Sequence, residues 1–137
     1  MDGQVLQLEA VIQKVQGIDH TQGLIAELMP HFREQGLDLK GFHMDPLVAS
    51  IAPKGLILKK ALSVFKNIRW SSGRTGDVSF FPCKMTIHGM PFFGFIFIDH
   101  SATPNSQVVS IIAPPIPVLE IGTRILLEMD STRAVAA

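Results

Sequence analysis

The chain has no tyrosine and a single cysteine, Cys83. A lone thiol excludes an internal disulfide, and a sequence without a cysteine framework points to a reducing, cytoplasmic setting. Glutamines and acids interrupt the N-terminal stretch MDGQVLQLEAVIQK, which therefore lacks the unbroken apolar run of a secretion signal. No apolar run approaches the roughly 20 residues that span a bilayer as a helix, so no membrane span is expected. The spacings H-x-H, H-x-x-x-H and C-x-x-C are missing, and so is G-x-x-x-x-G-K. No metal site, cofactor or Walker loop is therefore assigned. Without tyrosine the chain also lacks a common acid for an elaborate polar active site.

Charge is scarce as well. Charged residues make up 18% of the chain and cancel to a net charge of zero, where about 25% is usual. With 47% hydrophobic residues, the chain meets either a membrane or a partner surface. Since it cannot span, a second copy of itself is the favoured partner and a homodimer is expected. A pI near 7.0 argues against nucleic acid. Acids are missing altogether between Pro46 and Gly76, where Lys54, Lys59, Lys60, Lys66, Arg69 and Arg74 stand without a counter-charge.

What is present fits one domain over residues 1–137. In residues 1–36, Val5, Leu8, Val11, Ile12 and Val15 recur at helical spacing up to Gly17. Leu24, Ile25, Leu28, Met29 and Phe32 follow after Thr21, with Pro30 as a kink and Gly36 as a stop. The pattern predicts a helical hairpin. Residues 37–46 form a connector with room for a short strand, and 46–52 hold one or two helical turns. Over 53–70, Pro53 opens a third helix. Ile57, Leu58, Ala61, Val64, Phe65 and Ile68 gather on one side, with Lys59, Lys60, Lys66 and Arg69 spread over the other. That helix is basic and amphipathic.

After SSGRTG the period changes to two. Phe81, Cys83, Met85 and Ile87 alternate with Pro82, Lys84, Thr86 and His88, a strand with one wet face. Gly89 and Met90 make a turn. FFGFIFI does not alternate, which predicts a strand covered on both faces. QVVSIIA completes an antiparallel meander over 78–113. Residues 116–130 read as helix or strand: Glu120, Arg124 and Glu128 favour helix, while Gly122 and the β-branched residues weaken it. Residues 131–137 form a tail. The expected fold is α+β, a small antiparallel sheet of three to five strands with N-terminal helices packed mainly on one face.

The chemistry-bearing residues give little. Asp99, His100 and Ser101 hold the letters of a triad, but adjacent residues do not converge as a triad must. Cys83 alternates with apolar neighbours, as a core thiol does. The favoured function is a non-enzymatic binding or regulatory module for a small apolar or anionic ligand or a protein partner. Its expected lining is Phe80, Phe92, Phe93, Phe95 and Phe97, with Trp70 and Arg74 at the rim. Anions would meet Lys59, Lys60, Lys66, Arg69, Ser72 and Thr75. One alternative is a small enzyme using Cys83, or a His–Asp pair near His88 or His100. Another is anion or nucleic-acid contact through the basic helix, 54–74.

Overall fold

The computed structural model describes residues 4–17, 29–43, 45–51, 55–69, 75–100 and 107–136. Among them the only helix is α1, Met29–Glu34. The strands are β1 (Val5–Lys14), β2 (Leu47–Ser50), β3 (Leu56–Leu58), β4 (Ser63–Arg69), β5 (Thr75–Ile87), β6 (Met90–Asp99), β7 (Val108–Ile112), β8 (Arg124–Asp130) and β9 (Ala134–Ala136). The α+β expectation is thereby overturned: the described chain is nearly all antiparallel sheet. No helix among the described residues is long and apolar enough to cross a membrane.

Two periods coexist in VLQLEAVIQK, and pairing decides between them. Val5, Leu8 and Ile12 suit a helix; Leu6, Leu8, Ala10 and Ile12 suit a strand with one face inward. β1 is flanked by β8, with Val5 opposite Asp130 and Val11 opposite Arg124, and by β2, with Val11 opposite Ser50. Two sheet neighbours outweigh a local helical preference, so the first helix of the expected hairpin is a strand. Of the second, α1 is the described part. Pro30 stands in its first turn, where its missing N–H has no helical partner. Gly36, at φ 98, closes it. The Gly36 N–H donates to the Arg33 carbonyl at 3.1 Å and the Leu37 N–H to the Phe32 carbonyl at 2.9 Å, the paired bonds of a Schellman end.

The basic amphipathic helix expected over 53–70 is replaced by β3 and β4, and a bulge explains the misreading. Register between β4 and β5 shifts between Phe65 and Ile68. Asn67 there takes φ 58 and its N–H donates to Asp77 Oδ1 at 2.9 Å. The extra residue turns a spacing of two into three, so Phe65 and Ile68 share a buried face as they would on a helix. Ile57 and Val64, inward on a helix, are exposed.

The meander over 78–113 forms, but as part of a larger sheet. The β5–β6 turn is His88–Gly89 and not Gly89–Met90. Both residues have positive φ, 51 and 78, and Ile87 faces Met90: a two-residue turn whose twist matches the strands. Residues 124–130 are β8, with Ile125, Leu127 and Met129 inward. The expected tail carries β9, whose Ala134 is fully buried.

The strands run in the order β4-β5-β6-β7-β2-β1-β8, and β8 pairs again with β5. That second pairing closes β5, β6, β7, β2, β1 and β8 into a barrel, with β4 appended outside the ring. Alternate residues of these strands fill the interior, among them Ile12, Leu47, Phe81, Met85, Ile96, Ile111 and Leu127. Ile116 enters from the chain after β7, and Gln16 fastens that chain. The Gln16 amide donates to the Ala113 and Pro114 carbonyls and its oxygen accepts from the Ile116 N–H. Beside it the buried His43 accepts the Asp45 N–H at Nδ1, 3.0 Å away, so Nε2 carries the proton toward the Gly17 carbonyl, 2.7 Å away. A second core lies outside the wall, where Phe80, Phe97 and Ile112 pack under Phe32 of α1, Leu37, Leu39 and Phe65.

Candidate functional site

β5 changes partners midway, and the change opens the barrel wall. Lys84–Thr86 pair with β8, while Thr75–Phe80 pair with β4. Residues 81–83 belong to neither ladder. Pro82 stands in that interval, where a residue without an N–H is tolerated in a strand. Pro91 follows the same rule on β6, whose pairing with β7 is confined to Phe95–Phe97. β3 and β9 pair with each other and contribute Leu56 and Ala134 to the barrel core. The Lys59 N–H bonds the Arg133 carbonyl at 2.7 Å.

A groove of about 380 Å³ remains at this gap, lined by the outward Val5, Lys84, Phe93, Glu128 and Asp130, by Pro82 and Arg133, and by Cys83 and Met129 of the barrel core. Three of its lining residues, Phe93, Lys84 and Glu128, share one rung, which Gln7 of β1 extends beyond the groove. Phe93 of β6 faces Lys84 of β5, Lys84 faces Glu128 of β8, and Glu128 faces Gln7 of β1. Lys84 Nζ lies 3.6 Å from Glu128 Oε2, and Gln7 Nε2 donates to Glu128 Oε1 at 2.9 Å. On the neighbouring rung Val5 faces Asp130. Hydrogen bonds from the Thr132 N–H and hydroxyl, at 2.8 and 2.7 Å, hold the Asp130 carboxyl below its ordinary range, so it stays charged at neutral pH. Two cations and two carboxylates therefore border two apolar side chains. Phe93 is 66% exposed and Val5 54%.

The residues expected to line one pocket separate onto two faces. Phe92 points with Gly94 and Ile96 toward the interior, while Phe80, Phe95 and Phe97 belong to the outer core under α1. Only Phe93 reaches the groove. Trp70, Ser72 and Arg74 lie outside the described residues. Lys59 and Lys60 follow β3 beside Arg133, Lys66 is exposed at the β4 bulge, and Arg69 pairs with Thr75 at the strand end. With no helix there, these cations share no helix face, and the contact proposed through a basic helix at 54–74 loses its scaffold. Sequence reasoning missed Val5, Pro82, Lys84, Glu128, Asp130 and Arg133 as groove residues. Helical spacing claims Val5, and nothing local announces that β8 returns to β5.

The enzymatic alternative rests on Cys83, or on a His–Asp pair near His88 or His100. Cys83 is 6% exposed, and burial pushes its thiol from an ordinary 9.0 up to about 12. At neutral pH it is a protonated core thiol and a poor nucleophile. The folded chain keeps this proton where the unfolded chain releases it. The thiol's contribution to stability is therefore complete below pH 9 and fades as pH rises toward 12. His88 sits in the exposed hairpin turn, and His100 follows the other end of β6. His100 Nε2 is 2.7 Å from Ser79 Oγ, a pairing set by hairpin register and invisible in the linear sequence. Ser79 is 3% exposed, so this contact satisfies a buried hydroxyl. No group of three His, Cys, Asp or Glu among the described residues could hold a metal ion.

The chain matches no protein-family model and no curated protein sequence.

Proposed function

We propose that this protein is a binding module that works by association and not by bond-making, with the Phe93 groove as its contact surface. The observation that carries this reading is the exposure of Phe93. Its neighbour Phe97 is 4% exposed, and Phe80 across the hairpin is fully buried, whereas Phe93 leaves 66% of its surface in water. Burying a phenylalanine side chain stabilises a protein by roughly 1.5–3 kcal/mol, and at Phe93 most of that gain is forgone. An aromatic anchor bordered by charged groups has the anatomy of a recognition site. A groove of about 380 Å³ also falls within the range that holds a small apolar ligand.

Anilinonaphthalene sulfonate, apolar with one anionic group, is a suitable probe. Titrated into ¹⁵N-labelled protein, it should shift the amide signals of Val5, Lys84, Phe93 and Arg133, and Phe93→Ala should abolish those shifts. Perturbations centred elsewhere, or none at millimolar probe, would sink the reading.

A further inference from the structure

We infer that the ligand of this groove is an unbranched amphiphile with a single anionic head, a medium-chain carboxylate, an inference that rests on the reading above. The shape of the groove accounts for the alkyl part. Cys83 and Met129 belong to the barrel core and are 6% and 4% exposed, yet both line the groove. Core side chains reach the surface here because residues 81–83 of β5 pair with neither β4 nor β8. The opening is a seam about 10 Å long, with Phe93 of β6 on one side and Val5 of β1 on the other. A straight alkyl chain laid along it covers the sulfur-bearing floor and both exposed side chains. Every apolar surface so removed from water adds to affinity.

The rim decides the sign of the head. Both of its carboxylates are already occupied. Glu128 accepts from Gln7, and Asp130 takes both Thr132 bonds while standing in the field of Arg133 and Lys60. Lys60, Lys84 and Arg133 outnumber Glu128 and Asp130, and they are the less committed. Lys84 Nζ, 3.6 Å from Glu128 Oε2, lies beyond hydrogen-bond length. Among the described residues the Arg133 guanidinium donates to the Lys60 carbonyl alone, at 3.2 Å. Most of its N–H donors therefore remain for an anion, and a carboxylate engages two of them at once. A cationic head would meet only carboxylates whose partners are in place.

Calorimetric titrations of the protein with octanoate, octanol and octyltrimethylammonium test this, with the Met129 methyl signal recorded alongside. The three probes share one alkyl chain and differ in the charge of the head. Octanoate should bind at least tenfold tighter than octanol, the gain expected from one hydrogen bond to a charged group. Octyltrimethylammonium should bind more weakly than either, and octanoate should shift the Met129 methyl signal. Arg133→Gln combined with Lys84→Gln should bring octanoate down to the affinity of octanol and leave octanol unchanged. If that double variant does not fold, the wild-type order of the three probes decides by itself. Equal affinities, or tightest binding by octyltrimethylammonium, overturn the inference and leave the groove as an apolar site. Octanoate that neither binds nor moves Met129, while the anilinonaphthalene sulfonate footprint on Phe93 persists, overturns it too and keeps the surface for a different partner. Loss of both footprints removes the underlying reading as well.

Discussion

Replacing Phe80 with alanine should lower the unfolding free energy by about 3–5 kcal/mol, the range for removing a fully buried phenylalanine ring. Phe80 is 0% exposed and sits among other rings: its centroid lies 5.1 Å from Phe32, 5.8 Å from Phe65, 6.1 Å from Phe95 and 5.3 Å from Phe97. These neighbours come from α1, β4 and β6, so one truncation loosens every element packed on the outer face of the barrel wall. None can relax into the space without giving up its own contacts, which places the cost toward the upper end of the range. Phe93→Ala, on the same hairpin and the same side of the sheet, should change stability by less than about 0.5 kcal/mol, as at an exposed position. Urea unfolding of both variants measures the contrast. Equal losses would mean that Phe93 is part of the core and that the groove does not exist.

The second large effect is expected at Gly94. Alanine in place of glycine within a strand ordinarily gains about 0.5–1 kcal/mol from reduced backbone entropy. Here the sign should reverse. A Cβ on Gly94 would stand 2.4 Å from the Ile112 carbonyl oxygen and 3.4 Å from Ala113. The first of these is a backbone atom with no rotamer to escape into. β6 and β7 are paired at the next residue, Phe95 opposite Ile112, so relief requires the two strands to part where the chain turns in to place Ile116 in the barrel. A loss of about 3 kcal/mol is expected, at the upper end for overpacking. That corresponds to roughly 10 °C in the thermal midpoint for a domain of this length. Calorimetry of Gly94→Ala showing an unchanged or raised midpoint would contradict the close crossing of the two strands.

Where a strand's neighbours are close in sequence, the chain announces itself. Phe81, Cys83, Met85 and Ile87 alternate inward as their spacing predicts, and the hairpin to β6 lies within one residue of its expected turn. FFGFIFI is a strand covered on both faces from Gly94 onward, but not at Phe93. Where neighbours are distant, local pattern misleads. β1 is held by β8, more than a hundred residues later in the chain. Its alternating residues are mixed with others at helical spacing, and only the partner strands select between the two. The segment 63–69 deceives for a different reason, since the Asn67 bulge makes a strand imitate a helix. The groove as a whole could not be read from sequence. It is assembled from β1, β5, β6 and β8, and it depends on where along β5 one neighbour stops and the other begins. One clue was present: Pro82 inside an otherwise good strand marks a stretch with an unpaired side.

The site therefore rests on β5 serving β8 with one half and β4 with the other, which both closes the ring and leaves the wall split at Pro82. Nuclear Overhauser spectra of uniformly labelled protein measure this directly. Cross-strand contacts between Met85 and Leu127 should appear together with contacts between Val64 and Ser79. A spectrum with the Val64–Ser79 contacts but none joining Met85 to Leu127 would describe an open sheet, with no split wall and no groove for Phe93 to anchor.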